Sequence, residues 1–326
     1  MRDPSWNNRD YSFYPGQVVK GKWHGNHYRI VRLLGEGAIG KVYLAEGRGG
    51  LVAIKVSRES MSVSSEASTL RQVTKVHGVT LGPSFLDMDD VITKTGVTSF
   101  YVMEYIKGEP FLNFLREKNM EWLGILVVPL LKDLYSMHQA GWIFGDLKPE
   151  NLIVTAQPIS LRWIDVGGMT KVGRAVKEYT EFFDRGYWGM GDRKAAPAYD
   201  LFAVSMLMMN RGYLSRFKRE EPGGIKQLMR RLRDRPLLDP YAPVIEKGMQ
   251  QRYKDALMMK NDLLNLLTKG ETFRHAPAVK KPVKSSPVSR QKKKRALPKE
   301  RIFKGVLPTS AFASFLLFVY ILYLVG

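Results

Sequence analysis

The chain has 326 residues, 44% of them hydrophobic, no cysteine, and 51 lysines and arginines against 31 aspartates and glutamates, a formal charge of +20. That length and apolar content can fill the core of a two-lobed domain and leave a tail; the missing thiols exclude disulfides and cysteine-held metal or cluster sites. A balance this basic points to an anionic partner such as a nucleic acid or a membrane surface.

From Met1 to Lys20 the chain is polar and mixed in charge, without the apolar stretch of a signal peptide, and residues 1–26 read as an N-terminal extension. The run Tyr28 to Leu34 predicts a strand, and Lys41-Val42-Tyr43-Leu44 a second one. Between them lie Gly35-Glu36-Gly37 and Gly40. Three glycines between strands make a hairpin whose backbone N–H groups can approach a phosphate, because no Cβ intervenes. A dinucleotide-binding turn would open a helix at the third glycine, and the β-rich continuation argues against that.

Next, Val52-Ala53-Ile54-Lys55 predicts a strand that ends in an amine. The segment Ser64 to Val73 predicts a helix with Glu66, Leu70 and Val73 at helical spacing. Glu66 is the expected partner of Lys55, since Glu59 follows the strand too closely to lie on that helix face. Phe100 to Gly108 predicts a strand running into a linker, with Glu104 and Ile106 where two lobes would join.

The stretch Trp142 to Val154 carries the most chemistry. Moving a phosphoryl group to a hydroxyl needs a carboxylate near the incoming oxygen, a cation over the phosphates and oxygen ligands for a metal. Asp146 can accept the hydroxyl proton, Lys148 can neutralise charge on the group in transit, and Asn151 can bind metal through its amide oxygen. In isolation a surface turn explains the same residue types; the elements upstream, in this order, decide for phosphoryl transfer. Further on, Asp165-Val166-Gly167-Gly168 supplies a further carboxylate.

These motifs in register resemble the eukaryotic-like (Hanks-type) serine/threonine protein kinases of bacteria, from about Tyr28 to Leu267. The resemblance implies an α+β, two-lobed protein-kinase fold over residues 27–269, with a small β-rich N-lobe to about Glu104 and a larger helical C-lobe from about Gly108. It implies ATP with Mg²⁺ (or Mn²⁺) as cofactors, Asp146 and Lys148 as catalytic residues, and Asn151 and Asp165 as metal ligands. Nucleotide contacts would come from Gly35, Glu36, Gly37, Gly40, Val42, Ala53, Lys55, Glu66, Glu104 and Ile106. Asp200 matches the aspartate that braces the catalytic loop, and Arg252 opens a terminal helix motif.

Three departures stand out. Phe144-Gly145-Asp146 replaces His-Arg-Asp, so an activation-loop phosphate on Thr170, Tyr179 or Thr180 would need another cation, such as Lys171, Arg174 or Lys177. Asp184 stands where a threonine is expected before Tyr187. Gly189-Met190-Gly191 replaces Ala-Pro-Glu, leaving Asp192 as the candidate partner of Arg252. The Gly-Asp pair also admits a small-molecule phosphotransferase, and the altered activation segment a non-catalytic ATP-binding scaffold; the full glycine loop and Lys148-Pro149-Glu150 favour protein Ser/Thr substrates.

Past Leu267 the composition changes. Residues 270–305 carry prolines and few large apolar groups, which predicts a disordered linker. Between Lys280 and Lys304 eleven cations face Glu300 alone, half of the chain's +20. Residues 306–326 are uncharged and apolar on all sides, and about 20 residues at 1.5 Å each span a bilayer core of about 30 Å. This predicts one C-terminal transmembrane helix, with the basic flank and the kinase held in the cytoplasm, as in the tail-anchored kinases of spore-forming bacteria. The linker suits anionic lipid or DNA. A second basic cluster, Arg211 to Arg235, would extend the surface for a polyanion that aligns several copies, letting them self-associate and phosphorylate one another.

Overall fold

The computed structural model describes residues 12–37, 40–57, 59–75, 82–93, 96–213 and 215–269. The basic linker and the expected transmembrane helix lie outside the described residues. Among those described, no helix is long and apolar enough to cross a membrane.

The first lobe is an antiparallel six-stranded sheet with one helix. Its elements are β1 (Val18–Lys20), β2 (His27–Glu36), β3 (Lys41–Gly47), β4 (Gly50–Ser57), α1 (Ser60–Val73), β5 (Phe85–Thr93) and β6 (Gly96–Glu104), in the spatial order β1-β2-β3-β4-β6-β5. Alternation along β3 and β6 sends Tyr43, Ala45, Phe100 and Val102 to a common core with Ile30, Ile54 and Val56. The N-terminal extension expected over residues 1–26 is in part built into this lobe. β1 pairs with β2, Phe13 packs on Tyr43 with ring centroids 5.5 Å apart, and Lys41 Nζ donates to Ser12 Oγ at 2.7 Å. Three residues of strand give little periodic signal, so only the pairing reveals this edge.

The second lobe is mostly helical. In chain order it holds β7 (Glu109–Pro110), α2 (Phe111–Arg116), α3 (Glu121–Gln139), β8 (Trp142–Ile143), β9 (Leu152–Ala156), β10 (Ile159–Trp163), β11 (Thr170–Lys171), α4 (Pro197–Arg211), α5 (Ile225–Arg233), α6 (Ala242–Met249) and α7 (Ala256–Lys269). α4 is the central post, with every residue from Tyr199 to Asn210 buried, the all-round burial of a helix enclosed by others. Two short ladders, β10-β9-β7 and β11-β8, carry the loops that form the cleft floor. Arg162 of β10 ties the lobes: it donates to the Glu104 carboxylate at 2.9 and 3.2 Å and to Gly82 O at 2.6 Å.

Candidate active site

A cleft of about 570 Å³ lies between the sheet and the helical lobe, within the size range of small-molecule and cofactor sites. Leu34, Gly35, Val42, Ala53, Met103 and Ile106 line it from the sheet and linker, and Asn151, Ile153, Ile164 and Asp165 from below. Apolar walls with an amide and a carboxylate at one end suit a flat base and a metal-bound polyphosphate, so these residues fit ATP and a divalent ion. Glu36, Gly37 and Gly40 are not among the lining residues.

The glycine loop is a hairpin, as expected: Gly35 pairs with Val42, Glu36 with Lys41, and Gly37 N donates to Gly40 O at 2.9 Å. Around Gly35 and Gly37 there is open space where a Cβ would stand, whereas at Gly40 it would lie 2.3 Å from Val56 O. The third glycine is therefore demanded by β4 passing beneath it. Glu36 pairs with Lys41 at 3.3 Å. At the linker, the Glu104 carboxylate is held by Arg162 and by Ser84 N and Oγ; these partners hold it below the usual carboxylate range against the opposing effect of burial.

Lys55 and Glu66 meet as the helix spacing required, Nζ to Oε2 at 2.5 Å, with Asp165 Oδ1 at 3.5 Å from the same amine. Lys55 faces Tyr101 across β4 and β6, and Tyr101 Oη donates to Glu66 Oε2 at 3.1 Å. Burial pulls the Lys55 pKa down, but Asp165 and Glu66 outweigh it and the net shift is upward, which keeps the amine charged. Burial and the Glu66 charge drive Tyr101 well above its ordinary value, so it stays a neutral donor.

Below, Asp146 is buried and bonded on all sides. Lys148 Nζ pairs with Oδ2, Thr180 Oγ1 donates to Oδ1 at 3.1 Å, and Asn151 Nδ2 donates to the Asp146 carbonyl at 2.9 Å. Lys148 also reaches Thr180 Oγ1 at 3.3 Å. Asp200, fully buried, accepts from Phe144 N at 2.8 Å and Gly145 N at 3.0 Å and pairs with His138 Nε2 at 2.9 Å. It braces the catalytic loop as the resemblance implied.

Gly145, one of the departures from the family pattern, is matched by Gly168. Gly145 has φ +84°, and a Cβ there would lie 2.4 Å from Gly168 O; one at Gly168 would lie 2.8 Å from Asp146 Cβ. The catalytic loop and the Asp165 loop thus run back to back, closer than any side chain permits. With this backbone, an arginine at 145 would bring its Cβ against Gly168 O.

The activation segment has anchors of its own. Thr180, one of its three candidate hydroxyls, contacts Asp146 and Lys148, and Thr170 is buried. Asp184, which stands where a threonine is expected before Tyr187, is a buried anchor accepting from Gly186 N, Tyr187 N, Tyr199 Oη and Arg193 Nε at 2.8–3.0 Å. Asp192 pairs with Arg185 at 2.8 Å; Arg252 is exposed and has no carboxylate partner among the described residues. Residues 173–176 are stitched to 193–195 by backbone bonds of 2.7–2.9 Å. The one local signal for Thr180 was its place just before the apolar pair Phe182-Phe183. Glu178, which the sequence reading passed over, stands beside Gly167 and Asp165, with its pKa raised by burial and by the Asp165 charge.

The second basic cluster is largely engaged internally. Arg211 donates to Leu115 O and Lys118 O, Arg216 to Glu150, Arg219 to Tyr187 O, Arg230 and Arg231 to Glu220, and Arg235 lies over Tyr213. Guanidinium groups stack and chelate carbonyls well, so a run of arginines need not be a solvated stripe.

Fold and site together define a protein kinase. The family model described as protein kinase domain matches residues 28–214, and the chain belongs to that family. It is 46% identical over 291 residues to serine/threonine-protein kinase YabT of Bacillus subtilis (strain 168), covering 89% of this chain and 84% of the relative. A probable serine/threonine-protein kinase of Clostridium perfringens is 27% identical, with 43% of this chain aligned to only 21% of that protein. Among solved structures, the PknI kinase domain of Mycobacterium tuberculosis, a double mutant, superposes with a TM-score of 0.53 at 16% identity, covering 78% of this chain and 99% of that one; at such identity the likeness speaks for the fold alone. The chain is a bacterial serine/threonine protein kinase, which sets aside the small-molecule phosphotransferase and the scaffold.

Proposed function

We propose that this kinase is anchored in the cell membrane by residues 306–326, works on the cytoplasmic side, and transfers the ATP γ-phosphoryl group to protein Ser/Thr hydroxyls, its own included. The observation that carries the reading is a cleft lined by Asn151 and Asp165, with Asp165 3.5 Å from the Lys55 amine that Glu66 holds and Asn151 bonded to the Asp146 that Lys148 and Thr180 contact. Asp146 takes the acceptor hydroxyl's proton as the oxygen bonds to the γ-phosphorus and the bond to the β-phosphate oxygen breaks, releasing ADP. Lys148 neutralises charge on the group in transit. Lys55, kept charged and aimed by Glu66, meets the α and β phosphates, and Gly35, Val42, Ala53 and Ile106 enclose the base. Asn151 and Asp165 would hold the Mg²⁺ (or Mn²⁺), which would offset charge on the phosphates.

The charge of residues 280–304 supports a polyanion as the activating partner, either DNA or an anionic membrane surface. The test is radiolabelled γ-phosphate transfer by the full chain in detergent, with and without duplex DNA or anionic vesicles, beside Asp146→Asn and a variant with Lys292, Lys293, Lys294 and Arg295 changed to Gln. Transfer that needs Asp146, rises with DNA, falls with added salt and is lost in the linker variant is the expected result. A rise with vesicles alone assigns the linker to lipid; no response to either removes the polyanion from the scheme.

A further inference from the structure

Glu150 follows Lys148-Pro149 in the catalytic loop, half-exposed at the cleft lining beside Asn151. A free carboxylate there would set a negative potential next to Asp146 and draw lysine or arginine side chains of an acceptor. It is not free. Arg216, from the connector between α4 and α5, donates Nη2 to both Glu150 oxygens at 2.5 and 2.7 Å. The same guanidinium lies 4.7 Å over the ring of Phe183, which is buried three residues after the Thr180 that contacts Asp146. Catalytic loop, activation segment and connector therefore converge on one arginine at the edge where an acceptor must enter.

The connector is itself fixed. Phe217 packs edge-on against Phe182 and Trp188 at 5.1 and 5.7 Å, and Tyr213 against Phe217 at 5.0 Å. Arg216 is thus delivered to Glu150 from a packed base and does not reach it as a wandering surface side chain. An ion pair this exposed adds little to folding, about 0–1 kcal/mol, so what it does at this place is electrostatic: it cancels the carboxylate.

We propose that Arg216 is a specificity-determining residue that caps Glu150 and turns the acceptor edge of the site against basic flanking side chains, in favour of neutral or acidic ones. The proposal rests on the protein-acceptor reading above. It is tested with the full chain and a positional library of Thr peptides bearing Arg, Ala or Glu at each flanking position, reading the ratio of kcat/KM for basic over neutral peptides. Arg216→Ala is expected to raise that ratio about tenfold at one or two positions, Arg216→Glu more, and Arg216→Lys little. In Arg216→Ala with Glu150→Gln the ratio should return towards wild type, which a merely structural role for Arg216 would not produce. If Arg216→Ala loses its fold, Arg216→Gln keeps the side-chain length and carries the same expectation. A ratio unchanged in every variant while neutral peptides are still phosphorylated overturns the proposal and leaves the kinase reading standing; no transfer by the wild type to any peptide overturns that reading and the proposal with it.

Discussion

On the nucleotide side of the cleft Lys55, Glu66, Tyr101 and Asp165 are assembled from side chains set at family spacing, while on the acceptor side Thr180, Asp184, Asp192 and Gly145 meet similar needs by different means. The first region depends on a strand and a helix presenting opposite charges across a short gap, a geometry that periodicity enforces. The second depends on backbone: a Gly145–Gly168 crossing, a ladder between residues 173–176 and 193–195, and a buried carboxylate collecting four donors. A phosphate-to-arginine clamp is one way to hold an activation segment; this chain holds its own with fixed hydrogen bonds.

That contrast can be broken most severely at Asp184. Replacing it with Ala strands the Tyr199 hydroxyl, two backbone N–H groups and Arg193, and should cost about 3–5 kcal/mol, read as a lowered midpoint in urea. An unchanged midpoint would show that the acceptor side is not anchored there. Gly145→Arg restores the family residue and should nevertheless lose about 2–3 kcal/mol, because φ is +84° and Gly168 O occupies the space of the Cβ. A gain in activity without loss of stability would refute the back-to-back packing. On the other side, Glu66→Gln keeps the shape and removes the charge that aims Lys55, and kcat/KM for ATP should fall about tenfold, with a small change in thermal midpoint.

A pH-dependent effect lies away from both regions. Burial lifts the Asp133 carboxyl on α3 to about 7. With the folded pKa above an unfolded value of about 4, the stability associated with the neutral carboxyl is fully present below about pH 4 and is lost as pH rises through about 7. Asp133→Asn escapes that loss and should gain up to about 4 kcal/mol over wild type at about pH 8, shrinking towards zero near about pH 4. A difference independent of pH would rule out titration of Asp133 as its source.

Motif residues whose neighbours in space are set by local periodicity could be read before any fold was known. Lys55 on a strand and Glu66 on the next helix have one way to meet once the helix lies on the sheet, and Asp146 and Asn151 share a single loop whose chemistry dictates its residue types. Asp200 could be matched for the same reason, as an acid opening an otherwise apolar helix. The third glycine was legible as a glycine, but its cause, the close passage of Val56, was not.

What tertiary structure alone decided are contacts whose partners are far apart in the chain and carry no periodic mark. Thr180 lies 34 residues after Asp146, and only the apolar pair Phe182-Phe183 that follows sets it apart from Thr170. Asp184 and Asp192 look like interchangeable surface acids until the donors around them are counted, and Arg216 looks like part of a basic run until Glu150 is found beneath it. Periodicity and residue chemistry write the elements and the reactive groups into the chain; charge pairing and backbone crossing between distant segments are settled only when those elements pack, because each depends on a distance that no single segment contains.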